Sequence, residues 1–419
     1  MNKTIANTIL LMIMSISTYS KEINSNKERN NTVVSVQSVR GIMGENDPIV
    51  HTRGQVRAGY ITFSEEGTSR TSAYALGGHY HFDTKRWNGL SVGLSAYAVL
   101  NLGTHQNPLQ LNPDFFDDKG DSFVQLTEAY LDGKWGNTEL KLGRQILDTP
   151  HADSDDIRMM PNYFEAYTLS NTDIQDLTLN VGYIREMAGW ENGVDASSFV
   201  NIGQTLGTDN MDGVYYVSAS YEAIKDLSLS LWYYHYADIA NVLYAEAGYA
   251  LYVSEILDVT VGLQYDMSKQ TGATLLGQQD ANTFGASVEF DSKSVGVHLL
   301  MAYNKDSGAT GASSLNLGGG ALFTSMEDQT LDAMGQAGEA WVVGLGYHFD
   351  GVDGLNVGVA YGRFTADNAS SYETNELDVV MEYAFNESFS LVGAYASTHF
   401  ENQGISDYDQ LRIVTNYNF

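Results

Sequence analysis

The strongest constraint on the fold is a repeat of short segments in which apolar and polar side chains alternate, from residue 50 to residue 419. Alternation with a period of two places every second side chain on one face of a β-strand. Each segment has about 10 to 13 residues, which is the length of a tilted strand that crosses a lipid bilayer. The predicted segments lie at about 50–64, 70–82, 88–102, 122–135, 138–147, 162–171, 176–187, 213–222, 226–237, 240–252, 257–268, 281–290, 293–303, 339–349, 354–364, 374–385, 388–400 and 408–419. The repeat therefore predicts an all-β protein of about 18 strands.

The connectors between these segments alternate in length. Those after even-numbered segments are short, and they include 136–137, 291–292 and 386–387. Most of those after odd-numbered segments are long, and they include 103–121, 148–161, 188–212 and 304–338. Short turns at one end and long loops at the other are typical of a transmembrane antiparallel up-and-down β-barrel. The pattern places the short turns and both ends of the barrel on the periplasmic side.

Aromatic residues recur at the ends of the downward segments. Residues at i and i+2 share a face of a strand, so a Tyr-x-Phe motif puts two rings on the outer wall at one depth. Rings of this kind favour the membrane interface and form an aromatic girdle. The predicted girdle residues are Tyr80, Phe82, Phe290, Tyr347, Phe349, Tyr383, Phe385, Tyr417 and Phe419. A soluble β-sandwich does not need such rings along one edge, so the motif favours a membrane barrel.

The N-terminus has the pattern of a secretory signal. Lys3 precedes an apolar run over 5–16, and the chain becomes polar after Ser20. This run is too short to span a membrane as a helix, so 1–20 is predicted to be a signal peptide. Residues 21–49 are expected to form a periplasmic or lumenal segment before the barrel at 50–419. Export and a membrane barrel together predict the bacterial outer membrane as the location.

Charge and cysteine content exclude several classes of function. The formal net charge is −30, and nucleic-acid binding is not expected because it requires Lys and Arg to neutralise phosphates. The chain has no cysteine, which excludes thiol catalysis and thiolate metal sites. No cofactor is implied by any motif.

Arginines are concentrated on the predicted inner face of the first and last strands. Leu411 and Ile413 share the outward parity of the last strand, whereas Arg412 has the inward parity. Arg53 and Arg57 have the inward parity of the first strand. Since the first and last strands must pair to close a barrel, these arginines are expected on adjoining parts of the inner wall. They form a cationic patch in an acidic protein.

The 148–161 loop concentrates charge between two prolines. It contains the acids Asp153, Asp155 and Asp156 and the arginine Arg158. One interpretation is a loop folded into the barrel, where its carboxylates face the arginines of the wall and narrow the pore. The other is a solvated external loop. Charge alone does not decide between them.

The flanks of this loop and the last strand resemble the OprD-like porins. The motifs that carry the resemblance are Leu142-Gly143-Arg144-Gln145, Asp148-Thr149-Pro150, Asp156-Ile157-Arg158-Met159-Met160-Pro161, Thr172-Asp173-Ile174-Gln175-Asp176-Leu177, and Asp407-Tyr408-Asp409-Gln410-Leu411-Arg412. Similarity is patchy elsewhere, but the plan of 18 strands covers the whole mature chain. The resemblance tips the interpretation of the 148–161 loop towards an inward constriction.

The resemblance implies an 18-stranded channel with an inward third loop and a ladder of arginines that guides carboxylate-bearing solutes. Arg412 matches a ladder position and Arg158 matches the arginine of the loop. The chain departs from the family at 390–399, where members often carry arginines and this strand has none. The thinned ladder makes a weak cation preference or a broad permeability as plausible as carboxylate specificity.

The leading functional hypothesis is a porin for passive diffusion of small hydrophilic solutes or ions, including small carboxylates. Its selectivity is assigned to Arg53, Arg57, Arg412 and the 148–161 loop. The alternative is a structural or adhesive barrel whose lumen is plugged by 21–49 or 304–338. An outer-membrane enzyme is not expected, because no Ser/His/acid cluster is evident and the Gly-x-Ser-x-Gly match at 89–93 lies in a strand.

The expected partners follow from a membrane location. They are outer-membrane lipid, lipopolysaccharide and the barrel-assembly machinery, which is expected to recognise the terminal Phe419. Arg144, Arg185 and Arg363 have outward parity near the external rim and could contact lipopolysaccharide phosphates, unless a β-bulge turns them inward. The sequence leaves a monomer and a homotrimer open.

Two candidate metal sites are weak. His79 and His81 share a face but have no third ligand nearby in the sequence, which favours polar residues of the lumen. Acids at 114–121 could bind calcium, but they do not have EF-hand spacing, which favours a solvated external loop.

Overall fold

The chain forms a closed antiparallel β-barrel. The computed structural model describes residues 49–103, 107–292, 294–349, 351–402 and 404–419. The predicted signal peptide at 1–20 and nearly all of the segment at 21–49 lie outside the described residues. No helix in the described part of the chain is long and apolar enough to cross a membrane.

Eighteen strands build the wall of the barrel. They are β1 (Val50–Glu65), β2 (Thr71–Thr84), β3 (Leu90–Asn101), β4 (Phe123–Trp135), β5 (Thr138–Gln145), β6 (Tyr163–Asn171), β7 (Leu177–Ala188), β8 (Val214–Tyr221), β9 (Leu227–Tyr236), β10 (Ala240–Ser254), β11 (Leu257–Gln270), β12 (Asp280–Ser292), β13 (Val297–Asp306), β14 (Gly338–His348), β15 (Leu355–Ala366), β16 (Glu373–Ala384), β17 (Phe389–Phe400) and β18 (Tyr408–Asn418). A further strand of 2 residues, Val200–Asn201, pairs with the end of β7 inside a loop. Each predicted segment corresponds to one barrel strand.

The barrel closes through pairing of its first and last strands. β1 and β18 are antiparallel, with a register that runs from Gln55 opposite Asn418 to Glu65 opposite Tyr408. The pairing ends at Gly54 and Phe419, whose backbone N–H groups each donate to the other's carbonyl at 2.8 and 3.0 Å. Closure removes the unpaired edges that an open sheet would expose. The predicted pairing of the first and last strands is therefore confirmed.

The turns at one end are short because the sequence supplies residues that accept a left-handed backbone. Asp176 and Asp226 have φ values of 59° and 64° and stand directly before β7 and β9. Aspartate tolerates this conformation better than most residues. The Asp-Leu-x-Leu motif, which begins at Asp176 and again at Asp226, is thus a turn residue followed by the first residues of an upward strand.

Residues of the long loops pack against inward-facing residues of the barrel wall. Three clusters of buried apolar residues join loop residues to inward residues of the wall. In one of them, Leu322, Phe323 and Met326 of the long loop pack against Leu300 and Val342 of the wall. Apolar residues on this part of the inner wall are therefore covered by the chain itself.

Candidate functional site

The inner wall carries three arginines near the seam between β1 and β18. Arg412 lies opposite Ile61, and Arg57 lies opposite Asn416. Successive positions 53, 57 and 61 are four residues apart, which is about 13 Å along a strand. The three arginines therefore lie along the seam as the pairing of the two strands predicts, but they form a column rather than a compact patch.

Arg57 attaches the 148–161 loop to the wall. Its guanidinium donates to Asp156 at 2.6 and 2.9 Å, to the carbonyl of Arg158 at 2.7 Å and to Asn416 at 2.7 Å. The Arg57 side chain is 3% exposed, whereas that of Asp156 is 46% exposed. The arginine is therefore committed to the loop, and the carboxylate still faces open space.

Arg53 lies lower on the same wall and is more open. Its guanidinium donates to Asp83 at 2.9 Å, and 57% of its side chain is exposed. Asp83 also contacts His81, which in turn contacts Glu128 at 2.8 Å. His81 is thus a polar residue of the lumen wall. Among the described residues, no group of three or more His, Asp or Glu is arranged to hold a metal ion.

The other half of the 148–161 loop contacts the far side of the wall. His151 lies 3.3 Å from Asp266 on β11, and its backbone N–H faces the hydroxyl of Tyr234 on β9 at 3.4 Å. Burial opposes the charged imidazole, but Asp266 and the Leu315 carbonyl outweigh it and raise the pKa of His151. The loop therefore has contacts with wall strands on both sides of the ring.

The 307–337 segment lies against the 148–161 loop and the wall. Asp153 donates its N–H to the Leu317 carbonyl at 3.2 Å, and Leu317 donates to the His151 carbonyl at 3.0 Å. Asp153 also accepts from the N–H of Asp155 at 2.8 Å, so its carboxylate shapes the loop. The two loops are thereby joined by a short parallel bridge.

Charged groups from four loops and the wall converge at one level of the interior. This charged junction consists of Asp114, Asp155, Arg158, Glu191, Glu327, Asp328 and Arg412. Arg158 donates to Asp155 at 3.3 Å and to Glu191 at 2.6 Å. Arg412 is 4% exposed and is paired with Glu327. Both arginines of the junction are therefore bonded to carboxylates.

Burial weakens the acidity of three carboxyl groups of the junction, those of Asp114, Asp155 and Asp328. Loss of solvation raises the pKa of Asp328 to about 6, although Arg412 opposes the shift. Burial also raises the pKa of Asp114 and that of Asp155, where Glu191 adds to the effect. The charge of the junction is thus expected to vary with pH in a range where surface aspartates stay ionised.

The comparisons with known proteins agree with this architecture. A family model described as outer membrane porin, OprD family, matches residues 89–419. The chain belongs to the OprD family of outer membrane porins. Members of this family are outer-membrane channels for small solutes, so the predicted family, fold and location are confirmed. The comparison with curated proteins gave no match.

Solved porins share the fold at low sequence identity. OccK9 (OpdG) of Pseudomonas aeruginosa has a TM-score of 0.77 and 19% identity, over 88% of this chain and 98% of its own. OccAB3 of Acinetobacter baumannii has a TM-score of 0.75 and 15% identity, over 88% and 99%. Pseudomonas aeruginosa OpdK, solved with vanillate, has a TM-score of 0.72 and 19% identity, over 88% and 98%.

Several junction residues of this porin were not found from the sequence. Arg158, Arg412 and Asp155 were predicted as pore residues, and the structure brings them together. Asp114 was assigned to an external loop. Glu191, Glu327 and Asp328 were not singled out, because they stand in long connectors without periodicity. The one signal in the sequence that could have identified them is the presence of acids in long connectors of a barrel whose inner wall carries arginines.

The predicted girdle residues lie near the short-turn end of the outer wall. Paired rings are in contact within each motif, with centroids 4.6 Å apart for Tyr347 and Phe349 and 4.2 Å for Tyr383 and Phe385. The remaining girdle residues are Tyr80, Phe82, Phe290, Tyr417 and Phe419. The Phe419 ring lies 6.3 Å from that of Tyr80. Their depth in a bilayer stays a prediction.

The outward arginines near the long-loop end are all paired. Arg185 lies 2.8 Å from Glu165, and Arg144 lies 3.8 Å from the same residue. Arg363 is paired with Glu373 on the neighbouring strand. A register irregularity at Glu165 shows that a bulge is present on this part of the wall. Binding of lipopolysaccharide by these arginines stays a prediction.

Proposed function

We propose that this porin allows passive diffusion of small hydrophilic solutes and prefers cations to anions. The observation that carries the proposal is the pairing of every arginine predicted for the pore. Arg53, Arg57 and Arg412 contact Asp83, Asp156 and Glu327, and Arg158 contacts two acids. A paired guanidinium offers little attraction to an anionic solute.

The charge balance at the junction supports the same preference. Five carboxyl groups face two guanidinium groups, so the junction is negative whenever more than two of the acids are ionised. Charges that line a narrow low-dielectric passage concentrate counter-ions and repel co-ions. Cations, or solutes with an ammonium group, are therefore expected to cross more readily than chloride.

The loops are proposed to set the width of the passage. The 148–161 loop contacts Arg57 on one side of the ring and Asp266 on the other, which supports its role as a constriction. Asp155, Asp156 and Arg158 would line the passage, whereas Asp153 serves the loop backbone. The 307–337 segment would share this role, as its contacts with Arg412 and with the 148–161 loop indicate.

Small carboxylates are the second candidate class. OpdK was solved with vanillate, which bears a carboxylate, and the family resemblance implies such solutes. In this chain the interval 390–399 has no arginine, and Arg412 already has a carboxylate partner. These observations favour cations over carboxylates.

Ion selectivity in planar bilayers tests the proposal. The purified porin is reconstituted, and the reversal potential is measured in a KCl gradient at neutral pH. A sign that corresponds to potassium preference is expected. A chloride preference would overturn the cation proposal and restore the carboxylate candidate, and the absence of ohmic conductance would overturn the pore itself.

The remaining partners belong to this proposal too. Outer-membrane lipid is expected around the wall, and lipopolysaccharide at the rim. Recognition of Phe419 by the assembly machinery is a proposal that rests on the sequence alone, and the sequence leaves both a monomer and a homotrimer open.

A further inference from the structure

A group of acids that shares Glu327 and Asp328 with the charged junction lies where the 307–337 segment meets the wall. Glu376 and Asp378 have the inward parity of β16, and the backbone N–H groups of Asp328 and Glu327 donate to them at 2.9 and 3.2 Å. Glu327, Asp328, Glu376 and Asp378 are called the carboxylate cluster. It holds the turn of the loop at 327–330 against the barrel wall.

The carboxylate cluster has more negative charge than its surroundings can balance. Each of its four side chains has one buried oxygen without a hydrogen-bond partner among the described residues: Glu327 Oε1, Asp328 Oδ2, Glu376 Oε2 and Asp378 Oδ1. Glu376 and Asp378 are 0% and 3% exposed. Buried charges of one sign without partners are costly. The cluster therefore requires a positive ligand when the loop is in place.

The neighbouring groups do not supply enough positive charge. Arg412 from β18 contacts Glu327, and Arg158 from the 148–161 loop faces Asp328. The other titratable groups packed around the cluster are acidic or phenolic: Asp114, Asp155, Asp332, Tyr372 and Tyr408. Two guanidinium groups thus face four carboxyl groups of the cluster and three more nearby.

Protons are the ligands that fit this arrangement. Glu376 and Asp378 are neighbours on one face of β16, where two ionised carboxylates would repel each other, whereas a proton on one would allow it to donate to the other. No group of described acids has the arrangement of a metal site. Protonation would neutralise the unpartnered oxygens without needing additional space.

We propose that the carboxylate cluster binds protons and thereby holds residues 327–330 against the wall, so that acid pH narrows the passage beside Arg412 and alkaline pH widens it. The inference rests on the proposed porin function. Met326 and Leu331 are buried on either side of this turn, so the movement is confined to the residues between them. Gln329 would leave its contacts with Tyr372 and Tyr408, at 2.6 and 2.9 Å.

The direction follows from linkage. A carboxyl group with a raised pKa in the held form binds protons more tightly there than in the released form. If the pKa of a group differs by one unit between the held and released forms, deprotonation of that group in both forms shifts the equilibrium about tenfold towards the released form. The pKa of Asp328, about 6, places part of the transition near neutral pH.

Single-channel conductance tests the proposal in about 1 M KCl, where screening limits general effects of surface charge. The wild type is expected to conduct less at acid than at alkaline pH. The double variant E376Q/D378N keeps oxygen acceptors for the loop but leaves only Glu327 and Asp328 of the cluster to ionise, so its conductance should change with pH much less than that of the wild type and stay nearer the acid level. E289Q, which removes a lumen-facing acid of β12 outside the cluster, should keep the wild-type pH dependence. A double variant that responds to pH as the wild type does would overturn the proposal.

A second measurement does not depend on conductance. The chain has no cysteine, so Thr330→Cys supplies a single label in the turn. At one alkaline pH, a water-soluble thiol reagent should label T330C faster than T330C/E376Q/D378N. Equal rates would overturn the proton-binding role even if the porin conducts, whereas a rate difference without conductance would overturn only the porin proposal. D328N is a milder variant if the double variant does not give a heat-resistant barrel on gels.

Discussion

Replacing Arg57 with glutamine tests whether the 148–161 loop depends on the wall for its position. Arg57 makes three hydrogen bonds to the loop, two to Asp156 and one to the Arg158 carbonyl. Glutamine is too short to reproduce the paired bonds to the carboxylate. The strands themselves should be unaffected, since the ladder between β1 and β18 uses only backbone groups.

The free energy of loop attachment that R57Q loses depends on how exposed the partners of Arg57 are. Because Asp156 is 46% exposed, its pair with Arg57 is screened and contributes about 1 kcal/mol rather than the value of a buried pair. The bond to the Arg158 carbonyl comes from a buried charged donor and adds about 1.5 kcal/mol. The sum of about 2.5 kcal/mol corresponds to a rise of about 60-fold in the released loop population.

Trypsin cleavage after Arg158 reports the released population, because the Arg158 side chain is only 16% exposed while the loop is in place. R57Q in detergent or vesicles should be cut at this bond tens of times faster than the wild type. R53Q is the matched control: Arg53 contacts Asp83 on the wall, so cleavage at Arg158 should not change. A cleavage rate for R57Q within about threefold of the wild-type rate would correspond to less than 1 kcal/mol of loop attachment. That result would refute the role of Arg57 in holding the loop.

Three further predictions use the same barrel. E327Q removes the carboxylate from Arg412, so the reversal potential in a KCl gradient should move towards chloride; an unchanged potential would show that Arg412 does not face the ion path. Lowering the pH through about 6 protonates Asp328 and the other carboxyl groups whose pKa is raised, so the preference for potassium should decline. A preference that does not change with pH would contradict the placement of these groups in the pore. H151Q leaves Asp266 buried without its cation and should cost about 3 kcal/mol of loop attachment, seen as faster cleavage at Arg158. Because the pKa of His151 is raised, this stabilisation is present at low pH and is lost as pH rises through the raised value, whereas H151Q should lack that response.

The strands could be predicted from the sequence because membrane strands obey a local rule. Alternation identified every wall strand, and parity placed Arg57 and Arg412 on the inner face. The largest error in a boundary was at β13, predicted from 293 and observed from Val297. The turn before it contains Gly296, with φ of 65°, which delays the start of pairing.

The partners of the pore residues could not be predicted in the same way. Glu327 lies 85 positions before Arg412, in a connector whose sequence has no period, and the pairing exists only because the connector lies inside the barrel. The sequence also does not show what the apolar residues of that connector pack against. Phe323, for example, lies beside Gly262 of the wall, which only the structure shows.

The sequence by itself therefore determined the closed barrel, its strand order and the side of the wall on which Arg53, Arg57 and Arg412 lie. These depend on a period of two and on the need to pair all strand edges. The tertiary structure decided the electrostatics of the lumen. Long loops folded against the wall bring carboxylates to Arg57, Arg158 and Arg412, whereas Arg53 pairs with Asp83 of the wall itself. Burial then weakens the acidity of Asp114, Asp155 and Asp328.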